Sequence, residues 1–470
     1  MAMSKPRVSS ALFRAMLALT LLNGLGFIWA YRFIPLADYP DWMYQGLLFS
    51  RVIRGEILQH YALKSYPVPY SIMTLTLGLL DLLLRPEVSG KIALTAGILF
   101  FAGSSVYLLK SLNPSERSPL LYIPLLFVFS AWFFAGELCY VIGLGFLFIF
   151  CGYLFRRLGD AGSISGWFVL LTSAGMFFSH AMPYLTAGLI GAVFFLSRPS
   201  MRLFSKFAAG FAPTIATLVW YVAGGSSKGN AGWVFWTPHL LAGTFLKAFS
   251  PFQEFLPWLS ISVPGMKAVA LLDLLVSAGV AALWVICAMV WWNGRRSATP
   301  VLAAAGACLI GFVAVGYGLS DLSFGGRPLV GERLLYPAAW LAWCWLSAQW
   351  RPGEYQGLAK AARAGVCALL VVQALYLDLY VGIAARGLQD LYVRLREAQS
   401  QPQFCSIYQD YFARSSDRAH RTGLNRLLSN AGTVVRLPYY MYIEDGATAP
   451  IQQIGIFNYD GPGNSEDLCK

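Results

Sequence analysis

The sequence predicts an all-α polytopic membrane protein with a small tail of mixed structure. Three observations carry this. Of 470 residues, 57% are hydrophobic and only 12% charged, which is too apolar for a soluble globular chain. Apolar runs close to the length of about 20 residues that a helix needs to cross a bilayer recur from the N-terminus to residue 383. Basic residues gather between those runs, as in short cytoplasmic loops. Topology therefore accounts for the net charge of +12 more simply than a nucleic-acid partner does.

The first run, 12–34, follows Lys5 and Arg7 and contains Arg14, which puts the N-terminus in the cytoplasm. The run is long, and Trp29-Ala30-Tyr31-Arg32 lacks a small-x-small cleavage site, so it reads as a retained signal anchor. Runs follow at 68–84, 92–109, 119–155, 165–179, 183–197, 207–224, 268–292, 300–319, 334–350 and 365–383. Arg156 and Arg157, then Arg198, Arg202 and Lys206, then Arg295 and Arg296, then Arg351, Lys360 and Arg363 mark the later cytoplasmic loops.

Run 119–155 is too long for one ordinary span. Crossing once, with a half-helix break at Gly136-Glu137, it keeps Arg156 and Arg157 inside. The count is then eleven crossings, or about 11–12 transmembrane helices, each near the spanning length. The C-terminus is outside, with external segments at 35–67, 225–266 and 320–333. The chain divides into a transmembrane domain, 1–385, and an extracytoplasmic tail, 386–470. An integral protein of a bacterial inner membrane is the expected setting.

Within the first external segment, 41–58 is compatible with a helix. Asp38 stands where a cap is needed and Pro40 suits the first turn. Met43, Leu47, Phe49, Val52, Ile53 and Ile57 alternate with Gln45, Ser50, Arg51, Arg54 and Glu56, an imperfect amphipathic pattern suited to the interface. Tyr66-Pro-Val-Pro-Tyr70 ends it. Segment 225–266 is rich in Trp and Phe around His239 and Lys247, which points to interfacial helices. The tail begins as a helix, 386–399, and continues through 439–443 and 454–457, which read as short strands.

Cys139, Cys151, Cys287, Cys308, Cys344 and Cys367 fall in predicted spans and read as packing residues. Cys405 and Cys469 are the two in the tail. The oxidising compartment favours a bridge between them. No Cys/His spacing indicates zinc. No Gly-rich nucleotide fingerprint occurs, and no internal repeat suggests a two-half transporter.

Leu36-Ala-Asp-Tyr-Pro-Asp-Trp42 places two carboxylates where the chain leaves the first span. Asp38 and Asp41 could serve as a cap and a first-turn acid offsetting the helix dipole. Alternatively, a carboxylate here takes a proton from an acceptor hydroxyl as its oxygen attacks an activated carbon, or the pair shares a divalent cation. His180, in Phe177-Phe-Ser-His-Ala-Met-Pro-Tyr184, sits between two short apolar runs. It either satisfies backbone carbonyls at the Pro183 break or faces a polar cleft. Arg327, Glu332 and Arg333 precede a late span. Arginine matches phosphate bidentately; alternatively Arg333 snorkels to the headgroups.

In order along the chain, Asp38-Tyr-Pro-Asp41, Tyr66-Pro-Val-Pro, Ser179-His-Ala-Met-Pro183 and Gly331-Glu-Arg-Leu-Leu-Tyr-Pro337 resemble the GT-C superfamily. These are polytopic glycosyltransferases that use polyprenyl-phosphate-linked sugars, such as aminoarabinose and protein O-mannosyl transferases. The resemblance covers the architecture of about the first 385 residues, on short motifs. It departs from the family in its Asp-x-x-Asp spacing, where Asp-x-Asp or Glu-x-Asp is usual, which leaves metal use open.

The resemblance implies Asp38 as the catalytic acid, with Asp41 secondary. It implies Arg333 and His180 at the donor phosphate, and Arg327, Glu332, His239 and Lys247 as further substrate contacts. The partners it implies are a polyprenyl-phosphate sugar, membrane lipid, and a glycan, lipid or protein acceptor. A multi-pass transporter or lipid flippase is the alternative reading of the same hydropathy. It expects essential charges inside the spans and none at Asp38.

Overall fold

A computed structural model describes residues 8–58, 60–112, 119–157, 164–197, 199–224, 265–293, 333, 337, 356–398, 437–445 and 456–459. The Cys405–Cys469 pair lies outside these residues. The described chain is predominantly helical. Six of its helices are long and apolar enough to cross a membrane, so this is an integral membrane protein.

Helix α1 (Val8–Ala30) runs from an end marked by Phe13 to an end marked by Asp38. At the second end lie α2 (Tyr39–Ile53), strand β1 (Tyr61–Leu63) and α3 (Ile72–Asp81). Helix α4 (Pro86–Leu112) starts at this same end, where Glu87 pairs with Arg32 at 3.0 Å. It finishes where Lys110 lies over the Phe13 ring.

The run at 68–84 is therefore not a crossing, contrary to the sequence reading. Ten helical residues extend only about 15 Å, half of a hydrocarbon core of about 30 Å. The apolar residues of α3 face α2 instead. A Cβ at Gly46 would lie 2.5 Å from Leu77, and one at Gly78 would lie 2.5 Å from Phe49. The first segment at the Asp38 end thus extends from the end of α1 to the start of α4.

The run at 119–155 makes two passages rather than one. The first is irregular: a 3-10 turn (Pro119–Tyr122), α5 (Ile123–Leu126) and α6 (Ala131–Phe134). Tyr122 meets Phe13 at 5.5 Å, Phe129 meets Phe27 at 5.4 Å, and the Phe134 carbonyl reaches Ala37. The segment has thus travelled from one end of α1 to the other. Broken backbone at membrane depth is tolerated only inside protein, and residues 121–134 are all buried. The Gln373 side-chain amide donates to the Leu126 carbonyl at 2.8 Å, satisfying a group the broken helix leaves open. Helix α7 (Leu138–Arg156) then returns beside α4. Losing one crossing at 68–84 and gaining one here leaves Arg156 at the same end as Lys110, where Arg156 lies over Tyr107.

Helices α8 (Gly166–Ser179) and α9 (Ala181–Ser197) form a hairpin whose tip points toward the Asp38 end, and α10 (Met201–Gly224) packs against both. Helices α11 (Met266–Asn293) and α12 (Gln356–Ala398) pair alongside α1. Cys139 and Cys151 are buried on α7, and Cys367 is half-buried on α12.

Helix α12 runs unbroken through residue 385. Its 43 residues extend about 64 Å, so it continues well past α1 into the tail. The predicted helix at 386–399 is its last part. The stretch 439–443, read from sequence as a strand, is instead helix α13 (Pro438–Asp445). Its side chains pack on one side against Phe33 and on the other against Tyr44, as a helix between two surfaces requires. Strand β2 (Phe457–Tyr459) pairs antiparallel with β1, Tyr61 opposite Tyr459. Arg32 binds both Glu87 and Glu444, and Arg396 grips Asp445 with two nitrogens.

Candidate functional site

The site forms where α6 turns into α7 and the chain enters α2. Gly136 has φ of +75°, a left-handed conformation that costs glycine little. A Cβ there would lie 2.3 Å from the Asp38 amide nitrogen and 2.9 Å from its Cα. Three successive carbonyls of the turn accept hydrogen bonds from the approaching segment. Phe134 O takes Ala37 N–H at 3.0 Å, Ala135 O takes Asp38 N–H at 3.3 Å, and Gly136 O takes the Trp42 indole N–H at 3.2 Å. Asp38 is thereby fixed by its backbone to Ala135, two residues before Glu137.

Asp38 occupies the N-cap position of α2, but its side chain makes no capping bond. The cap role expected from sequence is filled only by its carbonyl, which accepts Trp42 N–H at 3.1 Å. Asp41 lies in the first turn of α2 and is fully buried. Among the described residues no three His, Cys, Asp or Glu side chains group as a metal site would require.

His180 is the single extended residue between α8 and α9, with φ −165° and ψ 132°. It is fully buried. Gly143 admits it: a Cβ there would lie 3.0 Å from Pro183 and 3.4 Å from the Cβ of His180. Its Nδ1 accepts the Met182 N–H at 3.1 Å. In the neutral ring this assigns the proton to Nε2. Tyr70 and Tyr140 stand edge-on to the imidazole at 4.4 Å and 5.1 Å. Tyr70 has φ of +72°, uncommon for a bulky residue and frequent where a site constrains the chain.

Arg333 joins the two halves. Its Nη2 pairs with the Glu137 carboxylate, and its Nη1 lies 3.1 Å from His180 Nε2. The guanidinium stands 5.5 Å from the centre of the Trp132 ring, within cation–π range. The Tyr140 hydroxyl donates to the Arg333 carbonyl. The Arg333 side chain is 12% exposed and that of Glu137 is 20% exposed. Beside the turn a small apolar hollow of about 10 Å³ is lined by Met73, Leu94, Phe101, Phe133, Leu138 and Ile142 among others.

The structure thus brings Arg333 and His180 into contact and ties Asp38 to the same turn, with Asp41 one helical turn beyond. Arg327, Glu332, His239 and Lys247 lie outside the described residues. Sequence reasoning took Glu137 only as a break and passed over Tyr70, Trp132 and Tyr140. One signal was available: Glu137 is the one charged residue within 119–155, and an ionisable group at membrane depth is a functional candidate by default.

Compared with protein families, with curated proteins and with solved structures, the chain matches none of them.

Proposed function

We propose that this protein is a glycosyltransferase that moves a sugar from a polyprenyl-phosphate donor to an acceptor at the outer face of a bacterial inner membrane. The observation that carries this reading is the Arg333–His180 contact, held by Glu137 on the turn that also fixes Asp38. It sets anion-binding donors on the turn to which the Asp38 backbone is bound. Basic residues of the Phe13 end, including Lys110, Arg156 and Arg157, support reading that end as cytoplasmic and the site as external.

In the reaction, the Asp38 carboxylate takes the proton of an acceptor hydroxyl as that oxygen attacks the anomeric carbon. The bond from that carbon to the phosphate oxygen breaks, and its electron pair leaves with the polyprenyl phosphate. Arg333 and the Nε2–H of His180 stabilise the charge gathered on the leaving phosphate. The donor already carries an activated ester, so no nucleotide site is required. Asp41 would join Asp38 if a divalent cation takes part.

The test is transfer from polyprenyl-phosphate sugars by the purified chain in nanodiscs, read as release of free polyprenyl phosphate. Release that depends on an acceptor and on Arg333 supports the proposal. A transporter or flippase is the second reading. Asp273, on spanning helix α11 and only 1% exposed, is the observation that favours it, because buried intramembrane acids mark ion pathways. It predicts loss of function in Asp273→Asn and none in Asp38→Asn.

A further inference from the structure

We infer that Glu137 is an exchangeable counter-ion, which holds Arg333 until a phosphate-ester anion takes its place. The inference rests on the glycosyltransferase reading for the identity of the anion, and otherwise on the donors around Arg333. A guanidinium offers five N–H groups in a planar fork. Glu137 engages Nη2 through Oε1. Nη1 faces the Nε2 of His180 at 3.1 Å. With Nδ1 accepting the Met182 amide, the neutral imidazole carries its proton on Nε2, so Nη1 and Nε2 present neighbouring N–H groups. The Arg333 Nε is buried and has no hydrogen-bond partner among the described residues.

One carboxylate oxygen therefore occupies a site built for more acceptors than it supplies. A phosphate ester brings further anionic oxygens, enough to meet Nη2, the Nη1–Nε2 pair and Nε together. Glu137 is also placed to give way. It follows the left-handed Gly136 and keeps a fifth of its side chain exposed. Trp132 and Tyr140 hold Arg333 by contacts that do not involve Glu137. Exchange would leave the guanidinium where it stands and change only its anion. Glu137 is thus a positioning residue that keeps a nearly buried cation paired in the absence of donor, at the cost of competing with it.

Competition gives a readout that a structural brace would not. The full chain, in phosphatidylcholine nanodiscs, is titrated with polyprenyl phosphate. Glu137→Gln should bind it roughly 3- to 10-fold tighter than wild type, the gain expected when an internal partner no longer occupies the site most of the time. Arg333→Ala should lose binding. Glu137→Asp, which keeps the charge but draws it back, should fall between, and decides the matter if the Gln variant does not fold. Binding that is unchanged or weaker in the Glu137 variants, with Arg333 still required, overturns the exchange and leaves the functional reading standing. No binding in wild type or any variant overturns both. Inorganic phosphate titrated against the same nanodiscs separates the sources of the anion: tighter binding of it alone keeps the exchange and removes the lipid donor.

Discussion

Gly136 and Asp38 touch at backbone distance. A single carbon added to Gly136 would stand 2.3 Å from the amide nitrogen of Asp38. This contact sets the spacing between the entry to α2 and the Glu137 turn. Gly136→Ala meets both a positive φ and an immovable backbone neighbour. It should cost about 1–3 kcal/mol, the range for overpacked or strained positions, and should lower activity with it. Thermal unfolding in detergent and a transfer assay check both. An unchanged melting temperature would mean that the two segments are not packed so closely.

The crossing pattern makes a prediction of its own. Arg85 is exposed at the Asp38 end, between α3 and α4, whereas the sequence count of 68–84 as a span puts it opposite. A cysteine at Arg85 should react with a membrane-impermeant thiol reagent from the same side as one at Arg54. A cysteine at Arg157 should react only from the other side.

Asp81, at the end of α3, is buried, and its carboxyl is pushed up to about 6 by that burial, against the opposing influence of Ser89 and Arg54. A carboxyl raised in the fold binds protons that the unfolded chain has released. Stability therefore falls as pH rises from the ordinary carboxylate range to about 6, and stays reduced above it. Asp81→Asn should stabilise the protein at pH 8 by on the order of 2 kcal/mol and change little near pH 4. Unfolding across that range checks the sign.

Among the described residues charge holds α13 at two points, Arg32 on Glu444 and Arg396 on Asp445. Arg32 binds Glu87 and Glu444, which lie far apart in sequence. With partly exposed partners, Arg32→Ala should cost only about 1 kcal/mol of overall stability. It should nonetheless loosen α13, which Arg396 still holds through Asp445, so limited proteolysis should cut on either side of 437–445 somewhat sooner than in wild type, and sooner still when Arg396→Ala is added.

Length and composition reveal the long helices α1, α4, α7, α10, α11 and α12, because a helix facing lipid must be apolar over its whole length. The same signal fails at α3, whose apolar residues meet α2 rather than lipid: Leu77 is buried by Gly46, and Gly78 admits Phe49. It fails again at 119–135, where protein surrounds a broken passage and Gln373 satisfies the backbone. Hydropathy records transfer from water and does not distinguish the two hosts. Asp38, His180 and Arg333 stood out because charge or a break interrupts an apolar run. Tyr70 and Trp132 did not, since aromatic residues are ordinary in such runs. Their roles come from ring placement that sequence spacing does not encode.

The account turns on Asp38. Asp38→Asn keeps the size of the side chain and its hydrogen-bonding capacity and removes only its charge, and the helix-capping role is carried by the backbone carbonyl, so the fold should be spared. Transfer from a polyprenyl-phosphate sugar by Asp38→Asn in nanodiscs is the most direct measurement. The predicted result is loss of activity by about 100-fold or more, the contribution of a positioned general base, with unchanged folding and unchanged binding of polyprenyl phosphate. Transfer at the wild-type rate would contradict the account.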